Sequence, residues 1–147
     1  MVTKKDTKKV KAPIKPVKPE RYFEALGGRK TAHARVRLFN KPVGIKVNDK
    51  DHKEYFKIPK HQEIVEAPLE LMKMADRMGA TVRVSGGGIG AQAEAVRHGL
   101  ARALVLFNET YRKRLRQHDY MKRDPRMVER KKYGLKKARR APQWAKR

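Results

Sequence analysis

The sequence predicts an α/β (α+β) fold: a small two-layer sandwich whose mainly four-stranded mixed sheet carries its helices on one face, plus a long extended basic C-terminal tail. Three observations predict it. Short stretches of period two alternate with stretches of helical period. A glycine triplet, Gly86-Gly87-Gly88, stands between a strand-like stretch and the clearest helix. Beyond about residue 117 the apolar periodicity fades while basic residues crowd together.

The elements follow in order. Residues 1–19 hold seven lysines and one aspartate, with Pro13, Pro16 and Pro19 among them. Such a stretch has too little apolar surface to bury and is expected to be a disordered extension. The globular domain is expected over 20–117 and the tail over 118–147. In the domain, Tyr22, Glu24 and Leu26 lead to a turn expected at Gly27-Gly28. Ala34, Val36 and Leu38 then alternate with Arg35, Arg37 and Phe39, which reads as a hairpin with one packed and one basic face. Gly44 to Val47 reads as a short strand closed by a turn at Asn48-Asp49. Two helical pieces follow, one at Tyr55-Phe56 and one with Leu69, Leu71, Met72 and Met74. The second is expected to start after Pro68, because proline is tolerated at a helix start. Ala80 to Ser85 is a strand with Val82 and Val84 on one face. From Gln92 to Asn108, Val96, Leu100, Leu104 and Phe107 recur at helical spacing. Ala93, Gly99 and Ala103 keep that face narrow enough to lie close to a sheet. A basic helix is expected near Glu109 to Gln117.

Charge narrows the function. Of 147 residues, 39 are Lys or Arg and 15 are Asp or Glu, for a net charge of +24. That charge repels itself in a compact chain and implies a polyanionic partner, nucleic acid first of all. No apolar run approaches the roughly 20 residues that a membrane span requires. There is no cysteine, so disulfides and thiolate metal sites are excluded. A cytoplasmic location is the default expectation, since no secretory h-region precedes the domain. The charge is also uneven. Residues 112–147 hold 16 basic and three acidic residues, more than half of the net charge in a quarter of the chain.

No set of residues assembles into catalytic chemistry. The glycine triplet invites a nucleotide-binding reading, but the third slot of G-x-G-x-x-G counted from Gly86 is Ala91, and no Gly-Lys-Ser/Thr ending occurs. Two readings stay open there. One is a tight strand-to-helix turn with positive φ angles. The other is a helix N-terminus facing an RNA phosphate. His33, His52, His61, His98 and His118 form no i, i+3 or i, i+4 pair, so no metal site or other cofactor is expected. Ser85 lacks a nucleophile-elbow context, and the chain is not expected to be an enzyme.

In the tail, basic residues come in clusters: Arg130-Lys131-Lys132, Lys136-Lys137, Arg139-Arg140 and Lys146-Arg147. Tyr133, Gly134, Leu135, Pro142 and Trp144 separate them. Gly134 and Pro142 interrupt any helix, and acid–base pairing along a helical face is nearly absent. An extended segment passing between RNA strands fits this pattern. The cations neutralise phosphates, and the aromatic residues stack on bases or fill grooves.

These residues resemble one family in chain order. The stretch Gly28-Arg29-Lys30-Thr31-Ala32-His33-Ala34-Arg35-Val36, the segment Val84-Ser85-Gly86-Gly87-Gly88, the helix from Gln92 to Leu104, and Arg123-Asp124-Pro125-Arg126 with the tail look like protein nine of the small ribosomal subunit, bacterial type. The resemblance covers about 21–147. It departs at Gly28, Gly90, Ala91, Trp144 and Ala145. It implies an α/β sandwich in the subunit head, bound to ribosomal RNA and beside other head proteins. It also implies a tail whose last residues, here Lys146 and Arg147, contact peptidyl-site tRNA. By position, Arg29, Lys30, Arg35 and Arg37 of the basic hairpin, and the clusters from Arg130 to Arg140, would meet ribosomal RNA. The chain would then be cytoplasmic and ribosome-bound. The alternatives are a general nucleic-acid-condensing basic protein and, third, a nucleotide-using enzyme built on the glycine turn.

Overall fold

The computed structural model describes residues 21–146. The elements run β1 (Tyr22–Arg29), β2 (Ala32–Phe39), β3 (Ile45–Val47), β4 (Lys50–Asp51), α1 (His52–Tyr55), α2 (Pro59–Leu71), β5 (Gly79–Ser85), α3 (Ile89–Phe107) and α4 (Tyr111–Gln117). The expected extension over 1–19 lies outside the described residues. The strands form one mixed sheet in the order β1-β2-β5-β3-β4. Among the described residues only the β3–β5 pairing is parallel. Four strands match the expectation, and the two-residue β4 adds a fifth at one edge.

Period two sorts each strand onto two faces. Ala32, Ala34, Val36 and Leu38 of β2 are buried, as are Ala80, Val82 and Val84 of β5. Arg35, Arg83 and Lys46 point from the opposite face and are exposed. The helices cover only the first face. On α3, Ala93, Val96, Leu100, Ala103 and Leu104 are buried against it. This is the apolar stripe that the helical spacing predicts, and each fully buried Leu or Val contributes roughly 1.5–3 kcal/mol.

How close α3 comes to the sheet depends on two glycines. A Cβ on Gly27 would collide with the Ala95 carbonyl oxygen and the Gly99 backbone nitrogen, and would lie 2.9 Å from the Gly99 Cα. A Cβ on Gly99 would lie 2.6 Å from Val36 Cγ2. The two backbones meet here with no side chain between them. Gly27 and Gly28 therefore belong inside β1, pairing with Ala34 and His33, rather than in a turn. The turn falls three residues later, at Lys30-Thr31, with Lys30 at φ 51°. A glycine pair signals a turn by default, and a close backbone approach is the competing reason that prevailed here.

The second helix also differs from the reading. It starts at Pro59, which takes the first helical position, and Pro68 lies inside it, buried. Interior proline removes a backbone hydrogen bond. Burial of Val65, Pro68 and Leu69 against the core offsets that cost. The helix ends at Leu71. Lys73 follows in the left-handed region at φ 54°, and the Met74 N–H donates back to the Leu69 carbonyl at 2.9 Å. Met72 and Met74 thus belong to the helix stop, where a lysine stands in the position that glycine usually marks. The Asn48-Asp49 turn is where the sequence places it, and both residues have positive φ, as two-residue hairpin turns require.

The glycine triplet is a strand-to-helix turn. Gly86 and Gly87 have φ of 74° and 63°, and their Cβ positions would press on Thr31 in the hairpin turn and on Ala32 at the start of β2. Gln92 Nε2 donates to the Gly86 carbonyl at 3.1 Å. Packing against the hairpin therefore accounts for both glycines. Among the described residues no helix is long and apolar enough to cross a membrane.

His98 sits at the seam between α3 and β1. Its Nδ1 accepts the Gly28 N–H at 3.3 Å. Burial lowers its pKa below the ordinary 6.5, and the nearby Arg102 charge lowers it further, although the Met121 backbone opposes the shift.

Two outcomes test this seam. Gly27→Ala should lower the unfolding free energy in urea by about 2–3 kcal/mol, because helix and sheet must separate. Gly88→Ala, whose Cβ would meet nothing within 4 Å, should cost less, about 1 kcal/mol at most, the difference between glycine and alanine at a helix N-cap. The second outcome concerns pH. A histidine whose folded pKa is depressed takes up its proton more readily in the unfolded chain. Its contribution is complete above about pH 6.5 and declines as pH falls from there toward the folded value. The stability gap between the wild type and His98→Gln should therefore narrow from pH 7.5 to pH 5.5. A gap independent of pH would show that His98 titrates alike in both states.

Candidate nucleic-acid interface

Among the described residues, three surfaces present cations: the hairpin with the root of the tail, the tail itself, and the open face of the sheet. They differ in how far their charges are already used within the chain.

At the root, the chain leaves α4 and folds back over the hairpin. The Tyr120 N–H donates to the Leu115 carbonyl at 3.1 Å, and the Tyr120 ring lies under the Arg97 guanidinium at 5.1 Å. Tyr120 and Met121 pack against the core. Arg29, at the end of β1, then ties the segment down. Its side chain is only 13% exposed. Nε pairs with Glu94 Oε2 at 2.5 Å, and Nη1 pairs with Asp124 Oδ1 at 3.0 Å. The same Nη1 donates to the Arg126 carbonyl at 3.0 Å. Arg123 Nη2 donates to the Lys30 carbonyl at 3.2 Å. Arg126 chelates Asp124 through Nε and Nη2. Those hydrogen bonds, with one from the Arg126 backbone N–H, hold the Asp124 carboxyl well below the usual carboxylate range. Arg29 is thus engaged in holding the tail root, while the Lys30 side chain stays exposed at the hairpin tip.

From His118 through Lys146 the described residues form no helix and no strand. Arg130, Lys131, Lys132, Lys136, Lys137, Arg139, Arg140 and Lys146 are all exposed. The path is not straight. Tyr133 and Gly134 form a turn, and the Lys136 N–H donates to the Arg140 carbonyl at 2.7 Å. Glu129 closes this small loop, reaching Lys132 Nζ at 3.0 Å and Arg139 Nε at 2.8 Å. These are exposed ion pairs, worth little in water and readily exchanged for a stronger anion. Tyr133 is 97% exposed and Trp144 79%, so neither ring is part of a core. Arg147 lies outside the described residues.

On the open face of the sheet, Arg37 pairs with Glu24 at 2.9 Å and lies over the Tyr22 ring at 5.0 Å. Arg35 reaches the same carboxylate only at 3.5 Å. Arg83 of β5 stands directly opposite Arg35. Sequence reasoning missed Arg83. Its alternation between Val82 and Val84 signals an outward residue, but only the strand pairing brings it beside Arg35. Three carboxylates of the domain take partners other than lysine. Glu24 and Glu94 go to arginines, and Glu66 Oε1 goes to His52 Nε2 at 2.5 Å.

At the first turn of α3, the capping residue Gly88 supplies no side-chain hydrogen bond, and the backbone there is exposed. Among the described residues no group of three or more His, Asp or Glu side chains is placed to hold a metal ion.

Comparison with known proteins agrees with this arrangement. Residues 27–147 match the family model of ribosomal protein S9/S16. The chain is 50% identical over 125 residues to small ribosomal subunit protein uS9 of Cytophaga hutchinsonii, across 85% of this chain and 98% of that protein. The chain belongs to the ribosomal protein S9/S16 family and is a structural constituent of the small ribosomal subunit.

Proposed function

We propose that the chain works without a catalytic step, as an RNA-binding protein whose domain docks on small-subunit ribosomal RNA and whose tail runs into RNA toward peptidyl-site tRNA. One observation carries the reading above the others. More than half of the net charge lies in residues 112–147, and most of those residues have no regular structure and no core to belong to. A chain with that density of unneutralised cations lowers its free energy by releasing counterions from a polyanion.

In this reading Arg130, Lys131, Lys132, Lys136, Lys137, Arg139 and Arg140 bind ribosomal RNA. Lys30, Arg35 and Arg37 add contacts from the hairpin. Arg29 acts mainly by fixing the direction in which the tail leaves. Lys146 and Arg147 act as cations on tRNA phosphates, with Arg147 able to engage two oxygens at once. Tyr133 and Trp144 offer flat faces for stacking on bases. No cofactor is required, the neighbours are other proteins of the subunit head, and the location is cytoplasmic and ribosome-bound. A general nucleic-acid-condensing role would use the same charge. It gives no reason for the clamp that sets the tail root through Arg29, Glu94 and Asp124.

Removing Lys146 and Arg147 should leave incorporation into the small subunit unchanged and weaken tRNA binding at the peptidyl site. Filter binding of tRNA to reconstituted subunits measures this, and unchanged affinity would remove the tRNA role from the tip. Reversing charge at Arg139 and Arg140 should instead reduce incorporation, read as the fraction sedimenting with the subunit after a high-salt wash. Sedimentation with DNA in place of subunits would favour the condensing role.

A further inference from the structure

Side chains on the open face of the sheet stand in rows that cross the strands. One row runs Glu24, Arg37, Thr81, Lys46 and Asp51 from β1 to β4. Two carboxylates match two cations in it. The adjacent row runs Leu26, Arg35 and Arg83. It holds two guanidinium groups and no carboxylate. Glu24 is shared between two cations, with Oε2 on Arg37 at 2.9 Å and Oε1 on Arg35 at 3.5 Å, and it does not reach Arg83. Among the described residues the Arg83 side chain has no ion pair or hydrogen bond.

Directly opposed residues on adjacent antiparallel strands hold their Cβ atoms about 4.5–5.5 Å apart, and like charges there repel. In the neighbouring row Glu24 pairs with Arg37 at 2.9 Å. The Arg35–Arg83 row has no carboxylate of its own and only a share of Glu24, and it lies in a shallow depression of about 280 Å³ rimmed by Leu26, His33 and Ser85. His33 and Ser85 face each other in the next row.

We propose that this depression is an anion site that takes one phosphodiester of ribosomal RNA between Arg35 and Arg83, separate from the contacts of the tail. The site rests on the RNA-binding function argued above and assigns part of it to the sheet. Each guanidinium presents a planar fork that matches two phosphate oxygens. The phosphate replaces repulsion between the two arginines with attraction to both. The Ser85 hydroxyl and the His33 ring supply hydrogen-bonding groups at the rim for a ribose hydroxyl, and Leu26 supplies an apolar edge for the sugar. Arg37 shares Glu24 with Arg35 and takes the closer contact, 2.9 Å against 3.5 Å, so Arg35 keeps only part of that carboxylate's charge.

The test uses the full chain and purified small-subunit ribosomal RNA, with affinity measured over a salt series. Arg83→Gln should weaken binding roughly tenfold, as loss of a charge-assisted contact does. It should also make the log–log salt dependence shallower by roughly one unit. Arg83→Lys, which keeps the charge but loses the fork, should fall between. The free Arg83→Gln protein should melt at the same temperature or higher, because a repulsion is removed. A tail variant, Arg139→Gln with Arg140→Gln, should multiply with Arg83→Gln, since the two regions contact different phosphates. Wild-type affinity and salt slope in Arg83→Gln, beside a weakened tail variant, would overturn the sheet site and leave the tail reading standing. A lowered melting temperature of Arg83→Gln would also overturn it, by placing the effect in the fold. If the wild-type chain shows no preference for ribosomal RNA, the function beneath the site fails with it.

Discussion

The contact on which most of the structure depends is the bare meeting of Gly27 in β1 with Gly99 in α3. Glycine inside a helix or strand costs roughly 0.5–1 kcal/mol relative to alanine. Here it lets two backbones touch, and polar contacts follow from that distance. His98 stands beside Gly99 in sequence and reaches the Gly28 N–H at 3.3 Å. Arg102, one turn further along, donates to the Leu26 carbonyl at 2.7 Å. Together they occupy backbone groups that edge strand β1 would otherwise offer to another chain. Glu94, toward the start of the same helix, reaches Arg29 at the end of the same strand. A larger residue at either glycine would push the helix out and stretch all three contacts together.

Four carboxylates of the described residues stand where they organise cations. Glu94 and Asp124 converge on Arg29 and make the root of the tail part of the folded domain. Glu24 balances Arg37, and Glu129 draws Lys132 and Arg139 into one loop. Away from these four residues, cations such as Lys131, Lys136, Lys137 and Arg83 stand without a carboxylate among the described residues. Positive charge in this chain therefore has two forms. One is internally paired and shapes the fold, and the other is left for a partner.

How much of this was legible in the sequence follows from how local each cause is. The stripe Val96, Leu100, Leu104 on α3 and the alternation along β2 and β5 are local periodicities, and they were read correctly. The Asn48-Asp49 turn has its own chemistry and was read correctly too. The errors arose where the cause lies far along the chain. Gly27 looks like a turn residue until Gly99, 72 residues later, is placed against it. Pro68 looks like a helix start until its burial beside Val65 and Leu69 is known. Of the basic residues, the exposed tail clusters needed no pairing information to be found. Arg83 did, and so did the clamping role of Arg29. Arg83 acquires Arg35 as a neighbour only through strand register, and Arg29, adjacent in sequence to the exposed Lys30, is half-buried between Glu94 and Asp124.

A tail without a core gains specificity only if something fixes its origin. A flexible chain tied at one end searches a volume set by its length, and its effective concentration at a target falls as that volume grows. From Asp124 to Lys146 the chain can span at most roughly 75 Å. The Arg29 clamp removes the freedom of the first residues of that span and sets their direction relative to the sheet. Docking the domain by its sheet face would then fix the origin and orientation of the tail in one step. The later cations would meet their phosphates as intramolecular events. The same logic explains why the root is held by arginine rather than lysine. Arg29 satisfies Glu94, Asp124 and the Arg126 carbonyl from a single planar group, which a lysine ammonium has neither the reach nor the geometry to do.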